Sequence, residues 1–488
     1  MRGVNDLRPI VDVLDACGAS GRYGSIFLEF DQETVTKIIY ILKFRADHYA
    51  NLIPWRIFMK KALLFSLILL TACAVIFAAP SRDSGRITLR MGDCHPDRNG
   101  GVGSVLERIN AEFKALHPNV DFEVESLQDQ PWQEKARIYA TANQLPDVFK
   151  WWSFPNMINP FVNARHLERL NKADFARFNY LPGALESCEV NGALYGVPAS
   201  GDMWVIYVNK AVFQRAGVPL PSTWEEVITS VPIFRAQNIT PLVTNGLEGW
   251  PLSIFFDNIL QRINGDYNRN YNAIDRVSGV RFTDQDFVQA ARYIQTMISA
   301  GVFNTNLTTS DYGDAQNQFV QERAAMYMMG SWEMGMATNP GFSQSFRSNL
   351  DVIKFPTIQT GRGTVDEPMV WFGGNFVVSA NSRNKTLALD YIKFLAEKFG
   401  TYCWESGAGF PAQRVTARPS DSEVSKKLLQ FSADAKTVSG KAPGLDYGKT
   451  NAFKEEHQEL IRQLCALIIT PEEFCRRLDA AADLDARQ

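Results

Sequence analysis

Histidine is scarce here, with five in 488 residues, and four of them follow Met59: His95, His117, His166 and His457. None belongs to an HExxH motif, and the sequence has neither a GxSxG elbow nor a P-loop. Gly361-Arg362-Gly363 is too short to cradle a phosphate. Metal-dependent proteolysis, serine hydrolysis and nucleotide-driven chemistry therefore lack their usual residues. The seven cysteines form no CxxC pair and no Cys/His pattern with zinc spacing. They read as scattered buried thiols. Cys465 and Cys475 stand ten apart, too far along one helix to meet without a turn. An excess of positive charge is also missing. The net charge of −3 excludes a strong generic pull toward nucleic acid. No tandem repeat and no low-complexity linker follows residue 85.

What is present is an ordinary globular composition, 45% hydrophobic and 21% charged, long enough for more than one core. Ten tryptophans stand out. Tryptophan is usually core, but such a surplus also suits sites that stack on flat ligand faces. Met59 opens a segment with Lys60 and Lys61, an apolar run from Ala62 to Leu70, and small residues beyond it. Charge, apolar core and small residues are the three parts of a secretory signal. Residues 59–80 are thus expected to be a signal, and residues 1–58 an over-extended N-terminus absent from the mature protein. Two readings compete. The uncharged stretch from Ala62 to Pro80 is nearly long enough for a membrane anchor, and residues 1–58 would then be a genuine extension. Cleavage near Ala78 or Ala79 is the alternative to processing at Cys73, where Leu70-Thr71-Ala72-Cys73 resembles the lipobox of bacterial lipoproteins.

Beyond residue 85 the pattern is α/β. Ile87, Leu89 and Met91 alternate as a strand. Ser104-Val105-Leu106-Glu107 reads as a capping box for a helix with Val105, Leu106, Ile109, Phe113 and Leu116 on one face. Val120, Phe122 and Val124 alternate again, giving a βαβ unit and a parallel pair. A helix over 131–144 and a short buried strand at 146–149 follow. Further strands are expected at 203–209, 324–329 and 372–379. Further helices are expected near 251–263, 284–300, 311–323 and 384–399, and from Pro221 and Thr470 with capping signals.

The order of these signatures resembles the extracellular solute-binding proteins of carbohydrate ABC transporters, the family that includes maltose-binding protein. The residues carrying the likeness are Leu145-Pro-Asp-Val-Phe149 with Trp151; Leu194-Tyr-Gly-Val-Pro198; and Val208-Asn-Lys210 through Pro221-Ser-Thr-Trp-Glu-Glu226. Gln321 to Met326 with Gly330-Ser-Trp332 adds to it, as does Gly373 to Ser379 with Tyr391-Ile-Lys-Phe-Leu395. The likeness runs over nearly all of residues 86–480. The chain departs from the family at Glu322-Arg323, where Gly-Lys is common. It also departs at Phe154-Pro155, where maltose-binding relatives carry charged sugar ligands.

The resemblance implies a periplasmic-binding-protein-like α/β fold, with two lobes joined by a multi-crossing hinge and a ligand cleft between them. Lobe 1 would comprise 85–198 and 373–412, and lobe 2 would comprise 202–370 and 413–488. The implied function is capture of a sugar or oligosaccharide and delivery to an ABC permease. The protein would be a monomer in the periplasm or on the outer face of the cytoplasmic membrane, with no cofactor and no metal. A secreted polysaccharide-active enzyme and a partner of a chemotaxis or sensor receptor remain as alternatives. Sugars need flat aromatics for their C–H faces and paired polar groups for their hydroxyls. Trp151 and Trp152 follow the end of a strand, where ligands of open α/β sheets bind. The resemblance puts Trp332 in the cleft as a platform with Trp250 near it, and Trp371 just before the second crossing. A core role competes for each, and Trp132 and Trp224 read as packing residues. Asp202 at the crossing corresponds to an acidic sugar ligand in the relatives, with a hinge salt bridge as the alternative. Asp97 and Arg98 in the Gly-rich loop are further polar candidates. Gly373 and Gly374 would let backbone approach the ligand or bend the hinge.

Overall fold

The structure is a computed structural model that describes residues 85–436 and 441–488. Residues 1–58, the 59–80 segment, Cys17 and Cys73 lie outside the described residues. The strands are β1 (Ile87–Asp93), β2 (Val120–Ser126), β3 (Val148–Trp152), β4 (Glu189–Val190), β5 (Ala193–Leu194), β6 (Gly196–Pro198), β7 (Asp202–Asn209), β8 (Thr240–Val243), β9 (Ala324–Gly330), β10 (Leu350–Ile353), β11 (Val370–Trp371) and β12 (Gly374–Val378). The helices that bear on the site are α1 (Gly101–Leu116), α2 (Asp129–Thr141), α3 (Pro155–Asn163), α4 (Trp250–Asn264), α5 (Tyr312–Val320), α6 (Lys385–Ser406), α7 (Asn451–Cys465) and α8 (Pro471–Ala486).

Two sheets carry the architecture. The first has the order β2-β1-β3-β12-β6, with β1 parallel to both β2 and β3 and β12 antiparallel to β3 and β6. The second has the order β10-β7-β9-β8, and β11 pairs with the start of β7. Every residue of β7 and of β9 is buried. A strand covered on both faces reads as a continuous apolar run, as Met203-Trp-Val-Ile-Tyr-Val208 and Ala324-Ala-Met-Tyr-Met-Met329 do. The β1–α1–β2 unit has the expected parallel pairing. Its α1 face of Val105, Leu106, Ile109 and Phe113 packs with Tyr391, Ile392 and Leu395 of α6, while Leu116 at the helix end is 66% exposed.

The start of α1 corrects one expectation. The helix begins at Gly101 behind Gly100, three residues before the proposed capping box. Ser104 Oγ donates to the Gly101 carbonyl, and Glu107 pairs with Arg98. The loop closes on itself instead, because Asp97 Oδ1 accepts from the N–H groups of Asn99 and Gly100. The other two caps form, the first as a reciprocal box. Thr223 and Glu226 cap each other, and Thr470 accepts from the Glu473 N–H ahead of Pro471.

Chain segments pass between the sheets side by side. Residues 199–201 link β6 to β7, and Phe372 and Gly373 link β11 to β12. Residues 410–412 run alongside, with Gly201 N–H donating to the Phe410 carbonyl (3.0 Å) and Ala199 N–H to the Gly374 carbonyl (2.9 Å). The C-terminal helices α7 and α8 pack on α4, where Phe256 meets Phe474 edge-on at 5.1 Å. The short stretch before α7 also reaches across to α3, where Asn156 Nδ2 donates to the Leu445 carbonyl at 3.1 Å. Cys94, Cys188, Cys403, Cys465 and Cys475 are all free thiols, and Cys94 alone is not fully buried. Among the described residues no helix is long and apolar enough to cross a membrane.

Candidate ligand-binding cleft

A cavity of about 370 Å³ opens between the two sheets. That is the low end of the ~300–1,000 Å³ typical of small-molecule sites. Three tryptophans floor it, packed on a fourth. Trp204 lies beneath, with Trp250 at 6.1 Å and Trp332 at 6.0 Å between ring centroids. Trp332 is 5.9 Å from Trp250 and 6.1 Å from Trp371. Trp250, Trp332 and Trp371 line the cavity. Local chemistry fixes their poses. Trp332 Nε1 donates to Tyr312 Oη at 3.0 Å. Its ring lies over Gly330, where a Cβ would stand 2.1 Å from a ring carbon, so only glycine fits.

Strand alternation decides between the two tryptophans that end β3. Neighbouring side chains point to opposite faces, so only one can face the cleft. That one is Trp152, which lines the cavity. Trp151 is fully buried, 4.3 Å from the Phe161 ring, and its Nε1 donates to the Met157 carbonyl at 3.1 Å. The expectation that Trp151 meets ligand is therefore corrected: it is a core residue. Trp132 and Trp224 are fully buried packing residues, as expected.

The polar candidates divide similarly. Asp202 lines the cavity at the first residue of β7. Burial raises its carboxyl above the usual range, against the lowering effect of the Lys150 charge and of hydrogen bonds from Ser200 and the Gly373 and Gly374 N–H groups. Gly374 lines the cavity, and a Cβ there would stand 2.1 Å from Lys150 Nζ. Gly373 is outside the cavity wall, and a Cβ on it would strike Phe154 at 2.6 Å. Asp97 sits at the exposed rim and accepts from Asn339 Nδ2 across the mouth at 3.2 Å. Arg98 does not reach the cavity. It is held by Asp93 and Glu107, each at 2.8 Å, and acts as a loop tie, which corrects that expectation.

Several cleft residues had no place in the sequence reading. Glu333 follows Trp332 and accepts from the Tyr312 hydroxyl and from Gln316 Nε2 (2.6 Å), while burial raises its carboxyl. Asp446 and Lys454 form a pair at 2.7 Å, each side chain 7% exposed. Lys150, Asp129 and Gln133 complete the wall. Lys150 did leave a signal: it is a charge inside the otherwise apolar run Val148-Phe-Lys-Trp-Trp152. Asp446 and Lys454 left none, because they meet the cleft from the far end of the chain. Burial pushes the His95 imidazole well below its usual range, so it is neutral. Among the described residues no group of three His, Cys, Asp or Glu side chains is placed to hold a metal ion.

An enclosed cleft between two α/β sheets, floored by aromatics and walled by carboxylates, defines a ligand-capturing protein. The chain belongs to the bacterial extracellular solute-binding protein family, whose model matches residues 99–398. It is 24% identical over 342 residues to a multiple sugar-binding protein of Streptococcus mutans serotype c, covering 67% of this chain and 75% of that protein. A structure from work on xylan utilization by the thermophilic bacterium Caldanaerobius polysaccharolyticus superposes with a TM-score of 0.73 at 25% identity, over 81% of this chain and 99% of the other. A chitin oligosaccharide binding protein superposes with a TM-score of 0.71 at 18% identity, over 83% and 100%. The fold is therefore the periplasmic-binding-protein-like one that the sequence resemblance implied.

Proposed function

We propose that this chain is the carbohydrate-capturing component of an ABC importer, which binds a sugar or oligosaccharide between two lobes and presents the closed form to its permease. The observation that carries this reading is the cavity's combination of a tryptophan floor with carboxylates in the same lining. Aromatic faces take the apolar C–H side of a sugar ring, and carboxylates take its hydroxyls in strong, directional bonds. The likeness to the S. mutans multiple sugar-binding protein supports the same ligand class. Ligand contact is assigned to Trp152, Trp250, Trp332, Trp371 and Asp202. The lobes are 85–198 with 373–412 and 202–370 with 413–488. The protein binds without chemistry, and its relatives are described as binding proteins. Export through the 59–80 segment, lipid attachment at Cys73 and a monomeric state complete the proposal.

A thermal-shift screen against mono- and oligosaccharides tests it. A ligand present at about 100 times its Kd adds ~2.7 kcal/mol to the folded state. One or a few saccharides should raise the melting temperature, with no reducing sugar released on incubation. Stabilisation by peptides or phosphate esters alone would remove the sugar reading. Release of reducing ends would make the protein an enzyme.

A further inference from the structure

The cleft's polar groups are unequal in what they have left to offer. Glu333 already accepts from Tyr312 and Gln316, Asp446 is paired with Lys454, and Asp97 holds its own loop and Asn339. Asp202 is served by Ser200 and two glycine N–H groups. Two groups remain unserved and a third is weakly served. The Lys150 side chain belongs to a residue 6% exposed, yet its ammonium makes no hydrogen bond or ion pair among the described residues; it lies 5.6 Å from the Phe376 ring centroid. Gln133, 4% exposed, has a buried Oε1 with no donor. Asp129 receives one long hydrogen bond, 3.3 Å from Gln133 Nε2.

These three line one cavity and come from adjoining elements. Asp129 and Gln133 stand one turn apart on α2, so their side chains share a face. Lys150 projects from β3, whose carbonyl at that residue accepts from Trp132 of the same helix at 2.8 Å. A buried amide oxygen without a donor is costly to a fold, and an unpaired ammonium in the wall of a cleft is open to an acceptor. They are tolerable where a ligand completes them.

We infer that Lys150, Asp129 and Gln133 form a specificity subsite that takes neighbouring hydroxyls of an uncharged sugar ring. The inference rests on the carbohydrate reading given above. A hydroxyl both donates and accepts. One hydroxyl oxygen accepts a hydrogen bond from Lys150 Nζ, while the hydroxyls donate to Gln133 Oε1 and the Asp129 carboxylate. The charges of Lys150 and Asp129 cancel, and the adjacent Asp446–Lys454 pair cancels as well. A uronate would meet Lys150 but repel Asp129, and an amino sugar would do the reverse. A site built to hydrogen-bond a hydroxyl rejects an analogue without it far more strongly than an apolar pocket rejects one methylene.

The test is calorimetric titration of the full chain with neutral disaccharides (cellobiose, xylobiose, maltose), digalacturonate and the glucosamine dimer, on the wild type and on Lys150→Met, Gln133→Leu and Asp129→Asn. Binding of at least one neutral disaccharide is expected, with each substitution weakening it at least tenfold and the charged dimers binding at least tenfold more weakly than the neutral one. Unliganded melting temperatures check folding, and Asp129→Asn, which changes no volume, serves should Lys150→Met not fold. A neutral sugar bound equally well by wild type and all folded variants would overturn the subsite and leave the carbohydrate reading standing. A wild type that prefers the charged dimers would overturn it as well. Failure of every saccharide to bind would remove the carbohydrate reading itself, and the subsite with it.

Discussion

The carboxyl of Asp129 is pulled in two directions, by burial and by the groups around it. Burial pushes it up to about 6 from an ordinary 3.8, although the Lys454 charge, Gln133 and Lys150 all act to lower it. Below pH 3.8 both folded and unfolded states are protonated, and the residue has no effect. Between pH 3.8 and about 6 the unfolded state ionises while the folded carboxyl stays protonated, so stability falls across that window and levels off above it. At 1.36 kcal/mol per unit this amounts to at most about 3 kcal/mol. Asp129→Asn is therefore expected to be more stable than wild type in urea unfolding at pH 8 and equally stable at pH 3.5. His457 works with the opposite sign. Both its ring nitrogens are buried without partners, and burial lowers it to about 3. The stability it leaves intact above pH 6.5 is lost as pH falls toward 3. At pH 4.5 the wild type should be about 3 kcal/mol less stable than at pH 7.5 on this account. His457→Phe should remove that part of the loss; an unchanged acid slope would show that His457 is not its source.

Strand β3 shows how far an element can be read from its letters. Its position after Pro146-Asp147 and its aromatic end are plain in the sequence. Which of Trp151 and Trp152 faces the cleft is not, because alternation fixes only that they differ. The face is set by which side α2 and α3 cover. Trp151→Ala should cost about 3–5 kcal/mol of stability by opening a core cavity. Trp152→Ala should leave the melting temperature within a few degrees and weaken sugar binding. The reverse pattern would mean that the two faces are exchanged. Caps were legible where Ser or Thr is followed by Glu three residues on, as at Thr223 and Thr470. At Ser104 the same pattern misled, since Asp97 had already turned the chain and α1 started earlier.

For the whole molecule, the order of strands and helices was readable because each apolar period announces its own element. The cleft's end wall was not readable. Asn156 and Leu445 meet there although 289 residues separate them, and no local pattern reports such a meeting. Contacts across the mouth, Asp97 with Asn339 and Thr338 Oγ1 with the Ser406 carbonyl at 2.9 Å, join opposite sides. Both are exposed and weak, as a reversible closure requires. A saturating sugar should accordingly reduce the radius of gyration in small-angle scattering, and an unchanged radius would argue against lobe closure. The four clustered tryptophans have an optical consequence. Rings about 6 Å apart exchange excitation, so light absorbed by buried Trp204 is emitted by whichever ring lies lowest in energy. A ligand that covers only Trp250 or Trp332 changes the emission of the whole group and the near-ultraviolet dichroism it shares. The protein reports its own occupancy in colour, with no dye attached.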